Sequence, residues 1–115
     1  MEKRLLVMNG RRIIQEKKDG EWLNRKVDKA GSLKPGIYNL SAAVPTNKSE
    51  AHAGVVIHAD ALGVYLKEGK KISLHEGKDF DKLPEIGSAM RIDYNAQGKA
   101  VVAAESLKAV RSRSR

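Results

Sequence analysis

Cysteine is absent from the 115 residues, which excludes disulfides, thiolate catalysis, iron–sulfur clusters and cysteine-ligated zinc. Long apolar runs are absent as well, since none approaches the ~20 residues that a membrane-spanning helix needs. The apolar stretch at the N-terminus is also too short for a signal peptide. Together these absences predict a cytoplasmic protein.

Motifs for catalysis and for phosphate binding are missing too. No GxSxG, SxxK, Walker A or HExxH pattern occurs, and the glycines fall singly at turns. His52, His58 and His75 do not have the spacing of a metal site. His58 and His75 could face each other on paired strands, but surface or strand-edge positions are expected for all three. Asp79 and Asp81 suit helix capping better than a catalytic carboxylate pair. The sequence therefore predicts neither an enzyme nor a bound metal or other cofactor.

Aromatic residues are scarce, at 4% of the chain, whereas positive charge is abundant. Lys and Arg total 22 against 14 Asp and Glu, which gives a net charge of +8. The excess lies at the two ends: residues 1–34 contain ten basic and five acidic residues, and residues 88–115 contain six and two. A basic domain favours polyanionic partners, such as nucleic acid, a membrane surface or an acidic protein.

The chain does contain a succession of short apolar runs separated by turn residues. Asn9-Gly10 and Asp19-Gly20 are signals for type I′ hairpin turns, so they predict a meander of strands at 4–8, 11–15 and 21–27. Further runs predict strands at 36–42, 54–59, 64–67, 70–75, 90–94 and 99–104.

This pattern predicts a mainly β protein. The expected fold is a small antiparallel barrel or sandwich, built from meanders and hairpins, with at most one short helical turn. We expect a single β-rich domain over residues 1–110. Residues 111–115, with sequence RSRSR, are expected to form a flexible basic tail.

Basic residues of the first meander, one aromatic residue and the tail form the candidate binding surface. A β surface that combines Lys and Arg with an exposed ring can bind nucleic acid by phosphate contacts and base stacking. The same charges suit an acidic protein partner. The alternative for Trp22 is that its ring packs in the core or at its rim, and the alternative for the tail is that it only increases solubility. The candidate residues are Arg11, Arg12, Lys17, Lys18, Trp22, Arg25, Lys26, Arg111, Arg113 and Arg115.

Several segments of the chain together carry a family resemblance. They are RLLVMNGRRIIQ, KAGSLKPGIYNL, GVVIHAD followed by GVYLKEGKK, FDKLPEIGS, and IDYNAQGKAVV. Together they resemble the KfrB family, small proteins of broad-host-range IncP-type plasmids. The family's strand ending in Asp, Gly-containing hairpin, His-containing strand, Pro-Gly segment and final hairpin fall on 55–60, 63–69, His75, 83–87 and 92–102.

The resemblance implies an accessory role in stable plasmid inheritance and partitioning. The implied protein is a non-catalytic adaptor that binds a coiled-coil, DNA-binding plasmid protein of the KfrA-like type, at or near the nucleoid. The alternative is direct binding of DNA or RNA by the same β domain, through the basic meander and the tail. Direct binding should weaken steeply between roughly 50 and 200 mM salt, whereas an interface with apolar anchors should not. The sequence leaves the oligomeric state open.

Overall fold

The computed structural model describes residues 2–104, which form ten strands in two sheets and two single turns of 3₁₀-helix. The prediction of a mainly β protein is confirmed. No helix within residues 2–104 has the length and apolar character needed to span a membrane. The predicted tail, with Arg111, Arg113 and Arg115, lies outside the described residues. The chain divides into two compact units, Met1–Ala43 and Val44–Arg115.

The first unit contains a four-stranded antiparallel sheet. Its strands are β1 (Lys3–Met8), β2 (Arg11–Lys18), β3 (Glu21–Lys29) and β4 (Gly36–Asn39), in the order β3-β2-β1-β4. Both predicted hairpin turns are confirmed, because Asn9-Gly10 and Asp19-Gly20 have positive φ at both residues. β4 is shorter than the predicted strand because the Asn39 side chain accepts a hydrogen bond from the Ser41 N–H and caps the 3₁₀ turn Leu40–Ala42.

Buried apolar side chains lie on one face of this sheet. Leu5 pairs with Ile14 on one side and with Tyr38 on the other, and Val7 lies two residues further along β1. All four residues are buried. Because side chains alternate along a strand, the intervening residues form the opposite face, which we call the front face.

The second unit contains a six-stranded sheet of order β10-β9-β6-β7-β8-β5. The short β5 runs parallel to β8 and lies between the predicted strands 36–42 and 54–59, where the sequence predicted no strand. The second 3₁₀ turn, Gly77–Asp79, follows β8. The strands are β5 (Val44–Pro45), β6 (His52–Ala59), β7 (Gly63–Glu68), β8 (Lys71–Glu76), β9 (Ala89–Tyr94) and β10 (Ala100–Ala104).

The core of the second unit depends on a close approach between β6 and β7. A Cβ atom at Gly54 would overlap the backbone carbonyl oxygen of Lys67, so only glycine fits at this position. The approach leaves the apolar side chains of one sheet face in mutual contact. These core residues are Val56, Val64, Leu66, Phe80 and Ile92.

Candidate functional site

An apolar row crosses the front face of the first sheet. Strand register places Leu6 beside Ile37 on one side and beside Ile13 on the other, and Ile13 beside Val27. One apolar residue from each of the four strands therefore lines up across the sheet. Ile37 is 61% exposed and Val27 49% exposed, so the row is open at both ends. We call these four residues the apolar row.

A polar ladder with an aromatic ring borders the apolar row on one side. Nε of Arg4 donates to Oε1 of Gln15 at 2.8 Å, and Nε2 of Gln15 donates to Oδ1 of Asn24 at 2.7 Å. The Arg4 guanidinium carbon lies 4.0 Å from the centre of the Trp22 ring, a cation–π contact. One face of the Trp22 ring is therefore already in contact with the Arg4 side chain of the same sheet.

Two cations border the apolar row on its other side. Arg11 and Lys29 are direct cross-strand partners, next to Met8. Like charges placed directly opposite each other destabilise a sheet. No carboxylate within residues 2–104 forms an ion pair with either of them. Two adjacent uncompensated cations beside an apolar surface are suited to binding an acidic partner.

The structure divides the predicted basic residues between the two faces of the sheet. Arg11 and Lys17 lie on the front face, because Arg11 pairs with Met8 and Lys17 follows Gln15 by two residues. Trp22 lies on the same face because it pairs with Lys17. Arg12, Lys18, Arg25 and Lys26 lie on the opposite face. Several of them are in ion pairs: Arg12 and Lys26 with Asp28 at 3.4 and 3.8 Å, Arg25 with Glu16 at 2.9 Å, and Lys17 with Glu2 at 3.6 Å.

The second unit holds a polar cluster on the core face of its sheet. Nδ1 of His52 lies 2.9 Å from Oε2 of Glu68, and Nε2 of His52 lies 2.9 Å from the carbonyl oxygen of Asn47. The His75 ring contacts Oγ of Ser73 at 2.8 Å through Nε2, and the Tyr94 hydroxyl at 2.6 Å through Nδ1. We call His52, Glu68, Ser73, His75 and Tyr94 the buried polar cluster.

Burial determines the protonation of His75 and Tyr94. Burial, reinforced by the neighbouring His52, lowers the pKa of His75 to about 4. Burial also raises the pKa of Tyr94 to about 12. At neutral pH Tyr94 is therefore a hydroxyl and His75 a neutral imidazole, so one ring nitrogen donates and the other accepts in its contacts with Ser73 and Tyr94. Every hydrogen-bonding atom of the His75 ring is satisfied in this arrangement.

We expect Tyr94→Phe to lower the free energy of unfolding by about 1–3 kcal/mol, because Nδ1 of the fully buried His75 would lose its hydrogen-bond partner. Urea unfolding followed by circular dichroism measures the change. Tyr65→Phe, on neighbouring β7, is the matched control. It should cost less than about 0.5 kcal/mol, since no hydrogen bond from the Tyr65 hydroxyl is formed within the described chain. Equal losses in the two variants would contradict the hydrogen-bonding role of Tyr94.

Sequence spacing did not reveal the buried polar cluster. The three ligand-type residues His52, Glu68 and His75 belong to β6, β7 and β8 and are far apart in sequence. Strand register does not align them, because His75 pairs with Val64, four residues before Glu68 on β7, yet the ring centres of His52 and His75 lie 5.0 Å apart. His58 and His75 do not face each other on paired strands, as the sequence would have allowed. β7 separates their strands, and the two residues occupy adjacent register rows, which point to opposite faces. His58 instead contacts Oδ2 of Asp60 at 3.0 Å.

Comparison with known proteins finds similarity in both units of the chain. The sequence model of the KfrB domain matches residues 51–104, which confirms the resemblance and includes the whole buried polar cluster. Protein TraB of Escherichia coli is 35% identical over 102 residues, an alignment that covers 85% of this chain and 70% of that protein. Because this alignment is much longer than the 51–104 match, it also includes residues of the first unit.

Proposed function

The chain carries a KfrB domain and belongs to the same family as Escherichia coli TraB, and on this basis we propose that it is a non-catalytic, plasmid-associated adaptor. The proposed adaptor binds a coiled-coil plasmid protein through the front face of its first sheet and supports plasmid maintenance and partitioning. The KfrB domain and the similarity to TraB support the plasmid association. The exposed apolar row supports the binding of a protein partner.

The apolar row has the composition of a protein-binding surface. Protein interfaces combine an apolar centre with a polar rim. Here the centre is the row from Ile37 to Val27, and the rim is the Arg4 ladder on one side and the Arg11–Lys29 pair on the other. Large apolar side chains on neighbouring strands that remain exposed also mark interaction sites more often than isolated ones do.

Charge complementarity selects the chemistry of the partner. Residues 1–43 contain ten basic and five acidic residues, and Arg11 and Lys29 lie directly beside the apolar row. The matching surface is an amphipathic helix with an apolar stripe flanked by Asp and Glu, which a coiled-coil protein can present on its outer positions. A DNA-bound partner of this kind would bring the adaptor to the nucleoid in the cytoplasm.

Direct nucleic-acid binding by the same sheet is less well supported. The basic residues that would contact phosphates are divided between two faces, and several are neutralised by Asp28, Glu16 or Glu2. The Trp22 ring that would stack on bases already contacts the guanidinium of Arg4. A polyanion therefore has fewer available cations on one surface than the sequence suggested.

We expect the double variant Val27→Gln/Ile37→Gln to bind the partner at least about tenfold more weakly, because exposed apolar anchors contribute most of the energy of such interfaces. The substitutions are neutral, so they leave electrostatic attraction unchanged. Biolayer interferometry with the purified coiled-coil protein encoded on the same plasmid measures the affinity. Val101→Gln is the matched control, since Val101 is a strand valine of the other sheet with 50% exposure.

Labelled duplex and single-stranded DNA, titrated at about 50 and 200 mM salt, separate the two functions. The adaptor proposal predicts that the wild-type chain shows no strong, salt-sensitive DNA binding. The two titrations should therefore look the same for the wild-type chain and for the variant Lys17→Glu/Lys18→Glu/Arg25→Glu/Lys26→Glu. Micromolar DNA binding that is lost in this variant, but kept in Val27→Gln/Ile37→Gln, would favour direct nucleic-acid binding instead. Full retention of partner binding in the Val27→Gln/Ile37→Gln variant would exclude the front face.

A further inference from the structure

We propose that the second unit binds a transition-metal ion, with Zn²⁺ as the best-suited ion, through His52, Glu68 and His75 of the buried polar cluster. The proposal concerns a site within the KfrB domain and does not depend on the adaptor function. It adds a metal-binding property that the sequence spacing did not predict.

The donor atoms are close enough to share one ion. One nitrogen or carboxylate oxygen from each of the three residues lies within 4.8 Å of the others. A tetrahedral Zn²⁺ with ligand distances of ~2.0–2.2 Å places neighbouring ligand atoms about 3.4 Å apart. Nδ1 of His52 and Oε2 of Glu68 are already 2.9 Å apart. Binding therefore requires Nδ1 of His52 and Oε2 of Glu68 to separate slightly and a His75 nitrogen to move closer to both.

One side of the His52 ring faces the Glu68 carboxylate, and the other side is anchored. Nε2 lies 2.9 Å from both the Asn47 carbonyl oxygen, which can only accept, and the Thr46 hydroxyl. In the tautomer with its hydrogen on Nε2, the lone pair of Nδ1 points at Oε2 of Glu68, 2.9 Å away. This is the tautomer in which His52 and Glu68 could share a metal ion, and in the metal-free chain a proton occupies the position between them.

Groups around the three donors already hold the rings in the way that metal ligands are usually held. Metal-bound histidines typically donate their second N–H to a backbone carbonyl or another oxygen. Asn47 supplies that carbonyl for His52. The two nitrogens of His75 contact the hydroxyls of Ser73 and Tyr94, so an ion would replace one of these partners while the other continues to orient the ring.

The donor set and its burial select the class of ion. Two imidazoles with one carboxylate suit Zn²⁺, Co²⁺ or Ni²⁺, whereas Mg²⁺ and Ca²⁺ take oxygen ligands. His52 and His75 are buried, and Glu68 is half-buried. An ion at this position would tie β6, β7 and β8 together in the folded state.

Zn²⁺ added alone to the EDTA-treated, untagged full chain provides the test. We expect one equivalent to bind and to raise Tm by about 10 °C when free Zn²⁺ exceeds its Kd a hundredfold. Co²⁺ should produce the visible absorption bands of a four- or five-coordinate complex. Glu68→Gln and His75→Gln should lose both responses. His58→Gln is the matched control and should keep them, since His58 lies on the opposite sheet face beside Asp60.

The absence of a Tm shift and of Co²⁺ bands in the wild-type chain would overturn the proposal and leave a proton between His52 and Glu68. Responses that survive in Glu68→Gln and His75→Gln, or that disappear in His58→Gln, would overturn it too. ¹⁵N NMR of the histidine rings in the wild-type chain avoids any dependence on variant folding. Zn²⁺ should shift the ring nitrogens of His52 and His75 and leave those of His58 unchanged, and the reverse pattern would contradict the site.

Discussion

Replacing Gly54 by alanine is expected to lower the free energy of unfolding by about 3 kcal/mol or more, with a fall in Tm of about 10 °C. The added methyl group would overlap the carbonyl oxygen of Lys67, which belongs to the backbone of the neighbouring strand and cannot rotate away. Relief of the overlap requires β6 and β7 to separate, and this separation would loosen the contact between Val56 and Leu66 in the core. Thermal and urea unfolding followed by circular dichroism measure the loss.

Gly63→Ala provides a matched control in the strand beside it. A Cβ atom at Gly63 would first meet Cδ1 of Leu74, at 2.8 Å, which is the movable end of a side chain. We therefore expect a smaller loss at Gly63, of about 1 kcal/mol. Equal losses at the two glycines would show that the tight backbone approach at Gly54 does not limit the stability of the second unit.

Glu68→Leu, measured in the presence of a chelator, is expected to cost about 2–4 kcal/mol. In the metal-free chain a proton links His52 to Glu68, and removal of the carboxylate leaves the buried His52 ring without a partner on Nδ1. Glu76→Leu is the matched control, because Glu76 is an exposed residue of adjacent β8 whose ion pair with Lys78 is a surface one. Its loss should stay below about 1 kcal/mol.

A double-mutant cycle tests whether His52 and Glu68 act as a pair. The combined variant His52→Leu/Glu68→Leu should be less destabilised than the sum of the two single variants, by about 1–3 kcal/mol. The reason is that the second substitution removes a group which the first left unpaired. Strict additivity would mean that the 2.9 Å contact contributes nothing to stability.

The sequence was informative wherever local chemistry decides the structure. Asn9-Gly10 and Asp19-Gly20 determine two hairpins because few other dipeptides tolerate positive φ at both positions. By contrast, the pairing of Val44–Pro45 with β8 is a contact of two residues between distant segments, and no local pattern indicates it. The end of β4 also depended on one side chain, that of Asn39, which competes with strand pairing by capping the next turn.

The candidate sites were harder to predict because they depend on faces and register. Lys17 and Lys18 are neighbours in sequence but lie on opposite faces, as strand alternation requires. A β-bulge opposite Ile14 and Gln15 leaves Arg25 as an extra residue of β3, and Arg25 reaches Glu16. The apolar row needs the register of three strand pairs at once, which turn residues alone do not determine.

The direction of the apolar row also limits the size and orientation of what can cover it. The row crosses β4, β1, β2 and β3 at right angles to the strands, so it spans three interstrand spacings, or about 14 Å. A helix laid along it covers this length in about nine residues, at a rise of about 1.5 Å each. Apolar positions at i, i+3 or i+4, and i+7 of such a helix would meet the row. A synthetic helical peptide of about ten residues is therefore long enough to compete for the whole row.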